Sequence, residues 1–250
     1  SRGLGDVYKR QAEVDMSNQA KGAPSDLDRK SFRRMVISRF ALAFIALGFM
    51  FFLPAWSFNY WQAWAYILIL LVPMIFIVRY LYKYDPDLLK RRLRMRERQK
   101  TQKLVQAAVW PLFLLAFVIP GFDYRLHWSN APAGVIIVSE VVVLLSYLFI
   151  GLVFKSNRYA SRIIEVEKGQ KVITTGPYSI VRHPMYLGVC IFWTFSPLAL
   201  GSYWAVLPAL FIIPVLVVRI RGEEKELLEN LEGYREYVMK TKHRLLPGIW

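Results

Sequence analysis

The chain is laid out as apolar runs of roughly bilayer-crossing length set between blocks of lysine and arginine. Four runs, at 36–53, 64–78, 104–121 and 133–154, are followed by two closely spaced ones, 186–200 and 203–220. Each of the longer runs supplies about the 20 residues that a helix rising 1.5 Å per residue needs to cross a hydrocarbon core. Composition agrees: 55% of the 250 residues are hydrophobic and 15% aromatic, too apolar for an ordinary soluble domain. The net charge of +15 could point to nucleic acid, but it falls in blocks between the apolar runs rather than along one polar face. Orientation in a membrane explains that pattern, and no nucleic-acid partner is expected.

Counting loops alternately, the Lys/Arg-rich ones are the N-terminal segment, 79–103, 155–183 and the C-terminal segment. The three poor ones fall on the other side. By the positive-inside rule the chain is an all-α, polytopic membrane helix bundle of six spans with both termini cytoplasmic. Trp56, Tyr60, Trp61 and Trp64 suit the headgroup level, and Pro73 is expected to kink the second span. The block KRRLRMRERQK, within 79–103, could bind anionic lipid or RNA, or simply hold its loop on the cytoplasmic side. Glu140 interrupts the fourth run about two turns from its outer end, so it either snorkels, makes a structural hydrogen bond, or serves a function facing the bundle. Cys190, the one cysteine, reads as a small buried apolar residue, and neither an internal disulfide nor a Cys-based metal site is expected. Residues 1–31 are polar and expected to be disordered; the opening SRGLGDVYKRQ resembles translated sequencing adapter, so 1–15 are expected to be non-native and Met16 the start.

The polar groups suited to chemistry lie on the cytoplasmic side. In TTGPYSIVRHPMYLG, residues 174–188, Gly176-Pro177 is a turn signal and Pro184 can open a helix. Free N–H groups at that helix start, with Arg182 and His183 just before it, suit a carboxylate or phosphate, and Tyr178 and Tyr186 offer rings to a heterocycle. Each residue taken alone also has a purely structural reading. In VVRIRGEEKELL, Arg219 and Glu223 share one helix face if the helix continues through Gly222, although snorkelling arginines before a solvated face would look the same. Leu227, Leu228, Leu231, Tyr234 and Val238 then recur at helical spacing, an amphipathic helix that can lie on the membrane or cover the site.

GPYSIVRHPMYLG, a helical hairpin, then RIRGEEKELL, GYREY and RLLPGIW together resemble the C-terminal core of the isoprenylcysteine carboxyl methyltransferase family. These are integral membrane enzymes that use S-adenosylmethionine. The resemblance covers about residues 155–250 and implies a methyltransferase core there, with residues 32–154 forming the preceding transmembrane helices. It implies that Tyr178, His183, Pro184 and Tyr186 contact S-adenosylmethionine, with Gln170, Val172 and Ile173 just upstream, and that Glu223 completes the cofactor site. Arg219 takes the position where the family's arginine faces the substrate, the one catalytic and substrate-binding assignment, while Tyr234, Tyr237 and Arg244 match the closing helix and tail. Aligning the acidic pair needs a small gap before Tyr234, which leaves Glu223 and Glu224 interchangeable.

The implied reaction is transfer of an activated methyl group, which needs positioning and exclusion of water and no metal. The acceptor would be a lipophilic or lipidated carboxylate, thiol or lipid entering from the bilayer, with the cofactor arriving from the cytoplasm. Two alternatives stand beside it. Sterol reductases share the RLLPGI tail and an RH-containing loop but use NADPH and carry more spans, and in a non-catalytic membrane scaffold the polar clusters would only close the bundle.

Overall fold

The computed structural model describes residues 26–84, 89, 100–157, 159 and 169–250. The disorder expected before residue 26, and most of the basic blocks at 85–99 and 158–168, lie outside the described residues. Every regular element among the described residues is helical: α1 (Asp26–Ala55), α2 (Trp61–Tyr84), α3 (Lys100–Leu126), α4 (Ala133–Ser156), a 3-10 turn (Gly176–Ser179), α5 (Pro184–Ala199), α6 (Val206–Leu210), α7 (Ile212–Asn230) and α8 (Tyr234–Lys240). Two compact units divide the chain, residues 1–46 and 47–250. In the first, the helix already includes 26–31, which its polar composition had suggested would be disordered, and it exposes Ile37, Leu42 and Ile45.

Among the described residues, four helices are long and apolar enough to cross a membrane: Arg33–Ala55, Trp61–Tyr84, Ala107–Leu126 and Ala133–Ser156. The two later runs are helical but differ from the expected full spans. With 16 residues, α5 reaches about 24 Å, less than a hydrocarbon core of about 30 Å. The sixth run is split at Phe211 between α6 and α7, where Pro214 cannot donate a hydrogen bond back to Leu210.

The second unit is apolar outside and partly polar inside, the distribution that lipid favours. On α4 a single stripe, Ile136, Ser139, Glu140, Val143, Ser146, Ile150 and Val153, is buried, while Val138, Leu145 and Leu152 face outward. Among the described residues Glu140 neither snorkels nor finds a structural hydrogen bond: it is 5% exposed and both carboxylate oxygens are buried without a partner there. Gly188 on α5 lets that helix close on α4, since a Cβ there would lie 2.6 Å from Cγ1 of Ile150.

Aromatic packing closes the bundle. Tyr60, expected at the headgroup level, is instead fully buried; its ring stacks on Tyr124 at 4.4 Å and its hydroxyl donates to the Leu200 carbonyl at 2.5 Å. Trp56, Trp61 and Trp64 do stay exposed. Further along, on α2, the Tyr66 hydroxyl donates to Ser196 Oγ at 2.6 Å, tying α2 to α5. At the turn between α5 and α6, Asp123 accepts from the Ser129 amide (2.6 Å) and hydroxyl (2.7 Å) and from the Ser202 hydroxyl. These contacts hold the hairpin turn at the end of α5 opposite His183.

Candidate functional site

The start of α5 and the second half of α7 come together because the hairpin returns the chain to the same end. Pro184 occupies the first turn of α5 with its missing N–H, as expected. The neighbouring donors are not free for a ligand, however. The amides of Arg182 and His183 donate to the carbonyls of His243 and Arg244, each at 2.9 Å, so the C-terminal tail pairs with the strand-like segment before α5.

An ion cluster buries this junction. Arg182 Nε donates to Glu224 Oε1 at 2.7 Å, and its Nη1 donates to the carbonyls of Thr241 and Lys242, both at 2.8 Å. Arg244 Nε donates to the other oxygen, Oε2, at 2.6 Å, and His183 Nε2 lies 3.3 Å from Oε1. Burial pushes the Glu224 carboxyl up, but the hydrogen bonds from His183, Arg244 and Arg182 outweigh it and hold the group down at about 2. An ionised carboxylate only accepts, so Nε2 of His183 carries the proton facing it.

A second cluster faces the open side. The Tyr186 hydroxyl donates to Glu223 Oε2 at 2.6 Å and accepts from Arg219 Nε at 2.9 Å. Arg219 and Glu223 do share one face, because α7 runs unbroken through Gly222 to Asn230. Glu223 and Glu224 thereby separate: adjacent on the helix, they point about 100° apart, one to the cavity and one into the ion cluster.

The cavity between these elements comprises about 830 Å³ of empty space, open solvent at its mouth included. Gln170, Val172, Ile173, Tyr178, His183, Tyr186 and Glu223, all expected from the sequence, line it together. Pro184 and Arg219 do not: Pro184 is buried in the helix start, and Arg219 stands one hydrogen bond behind the wall, on Tyr186.

The expected amphipathic helix is broken after α7, where Leu231 is extended and Gly233 takes φ +79°, and resumes as α8. Its apolar face covers the cavity, to which Leu227, Leu231, Tyr234 and Tyr237 contribute. The Tyr237 hydroxyl donates to the Tyr178 carbonyl at 2.7 Å, and burial together with Tyr178 pushes its phenol up to about 12. Sequence reasoning missed Asn157, Tyr159, Lys171 and Glu226 in the lining. Glu226 was within reach, one turn beyond Glu223 on the α7 face already singled out; nothing in the local pattern marked the others.

Residues 135–229, from α4 to the end of α7, match the family model described as the isoprenylcysteine carboxyl methyltransferase (ICMT) family. The match starts earlier than the motifs do, taking in α4, and ends before α8 and the tail. No curated protein matches the chain. A methyltransferase family match sets the chain among enzymes rather than scaffolds. Over residues 135–229, less than half of its length, the chain is similar to the isoprenylcysteine carboxyl methyltransferase family, whose members use S-adenosylmethionine, and the match supports a membrane-associated methyltransferase acting on a lipophilic substrate.

Proposed function

We propose that the cavity between the 170–186 segment, α7 and α8 holds S-adenosylmethionine, with Gln170, Val172, Ile173, Tyr178, His183, Tyr186 and Glu223 in contact with it and Pro184 fixing the helix start behind. The single observation that carries this is the Tyr186 hydroxyl, which joins the cavity wall at Glu223 to Arg219 behind it. The lining's chemistry suits this cofactor. Glu223 and Glu226 favour a sulfonium and an ammonium, and Val172, Ile173 and the Tyr178 ring favour an adenine. The phosphates of NADPH would meet the carboxylates of Glu223 and Glu226, with Lys171 at the rim and Arg182 already tied to Glu224.

When bound, S-adenosylmethionine would supply an activated methyl group for transfer to an acceptor oxygen or sulfur, with S-adenosylhomocysteine as the released product. The chain's own residues position the partners and keep water out. A carboxylate acceptor is already ionised near neutral pH, so Arg219 orients it and offsets its charge rather than acting as a base. A thiol acceptor would need to lose its proton first.

We further propose six spans with both termini and the cavity on the cytoplasmic side, 32–154 forming the membrane support and 155–250 the catalytic core. The alternation of Lys/Arg-rich and Lys/Arg-poor loops supports this orientation, with α5 and α6–α7 as a short hairpin. The acceptor then reaches Arg219 laterally from the bilayer. The test is methyl transfer from labelled S-adenosylmethionine to prenylcysteine-like carboxylates. Arg219→Ala is expected to lower kcat/KM about ten- to a hundredfold with cofactor affinity kept; unchanged transfer would remove the substrate role.

A further inference from the structure

We infer that the hydroxyl of Tyr234 donates a hydrogen bond to the bound cofactor. This rests on the reading of the cavity as a S-adenosylmethionine site and adds a residue to it. Tyr234 is 3% exposed, lines the cavity, and its hydroxyl oxygen is buried without a hydrogen-bond partner among the described residues. Two other tyrosines of the same wall are engaged inside the fold: Tyr186 through Glu223 and Tyr237 through the Tyr178 carbonyl. A buried hydroxyl left unpaired is unfavourable, so a fold that keeps one against an open cavity is complete only when something in the cavity accepts from it.

The group is held in place for that purpose. It packs in one cluster with Leu231 and Tyr237, at 5.7 Å between the two tyrosine rings, directly after Gly233 turns the chain into α8. Burial first, then the carboxylates of Glu224 and Glu223, push this phenol well above its ordinary range, so it keeps its proton and acts as a donor. The hydroxyl thus contributes nothing to the fold without ligand and contributes binding energy with it. A purely structural tyrosine would behave in the opposite way.

The experiment is Tyr234→Phe in the full chain purified in detergent, with calorimetric titration of S-adenosylmethionine and thermal unfolding of the ligand-free protein. The expected result is a ligand-free unfolding temperature equal to or above that of the wild type, with affinity for S-adenosylmethionine weakened about three- to tenfold. Wild-type affinity in the variant, or a lower ligand-free unfolding temperature, would overturn the inference while leaving the cofactor site standing. Absence of binding to the unmutated chain would instead remove the cofactor reading, and this inference with it.

Discussion

Arg182 donates to Glu224 across 2.7 Å and joins residues 42 positions apart, and the same guanidinium grips the carbonyls of Thr241 and Lys242. One buried pair thus fixes the start of α5, the second half of α7 and the tail. Glu224→Gln would leave Arg182 buried beside a neutral amide, and the expected loss is about 3–5 kcal/mol of stability, as for other broken buried ion pairs. Thermal unfolding in detergent measures the loss. Hydrogen exchange should rise first in 241–250, because Arg244 loses the same partner.

Acid should act on the same junction. The Glu224 carboxyl is held at about 2 against an ordinary value of 4.5. A group whose folded value is depressed stabilises the fold fully above its unfolded value, and that contribution is lost as the pH falls through the folded one. Loss of tail protection is therefore expected between about pH 4.5 and pH 2 in the wild type. Glu224→Gln, having no carboxyl there, should lack this part of the acid response.

Glu140 is the opposite case, a buried carboxyl with no partner on either oxygen. Replacing it by an apolar residue of similar size removes a desolvated group without breaking any hydrogen bond of the fold. Glu140→Leu is expected to raise the unfolding temperature, by an amount corresponding to about 1–3 kcal/mol. A lower unfolding temperature would mean that the carboxyl is bound to something the fold depends on.

Much of this arrangement was legible in the sequence because it rests on local periodicity and on adjacent motifs. Apolar runs with Lys/Arg between them gave the long helices, and the four-residue spacing of Arg219 and Glu223 placed both on the face that meets Tyr186. The assignments that the pattern left open turn on long-range partners. Nothing near Arg182 says that carbonyls of 241–243 will take its amide and guanidinium, so the helix start looked free when the tail in fact covers it. Glu223 and Glu224 were interchangeable along the chain and were separated only by the roughly 100° between successive helix positions. The break at Phe211 and the bend at Gly233 depend on one missing proline donor and one left-handed glycine, too small a signal against an otherwise helical pattern. Tyr60 looked like an interfacial ring because its burial depends on Tyr124 and Leu200, far away in the chain.

The central claim is that one cavity, walled by Tyr186 and Glu223, takes S-adenosylmethionine. Calorimetric titration of the detergent-purified chain with S-adenosylmethionine and, separately, with NADPH tests it most directly, with Glu223→Ala and His183→Ala alongside. Binding of S-adenosylmethionine but not NADPH, weakened about tenfold or more by Glu223→Ala, is the predicted result. Binding of NADPH in preference, or S-adenosylmethionine affinity indifferent to both substitutions, would contradict it.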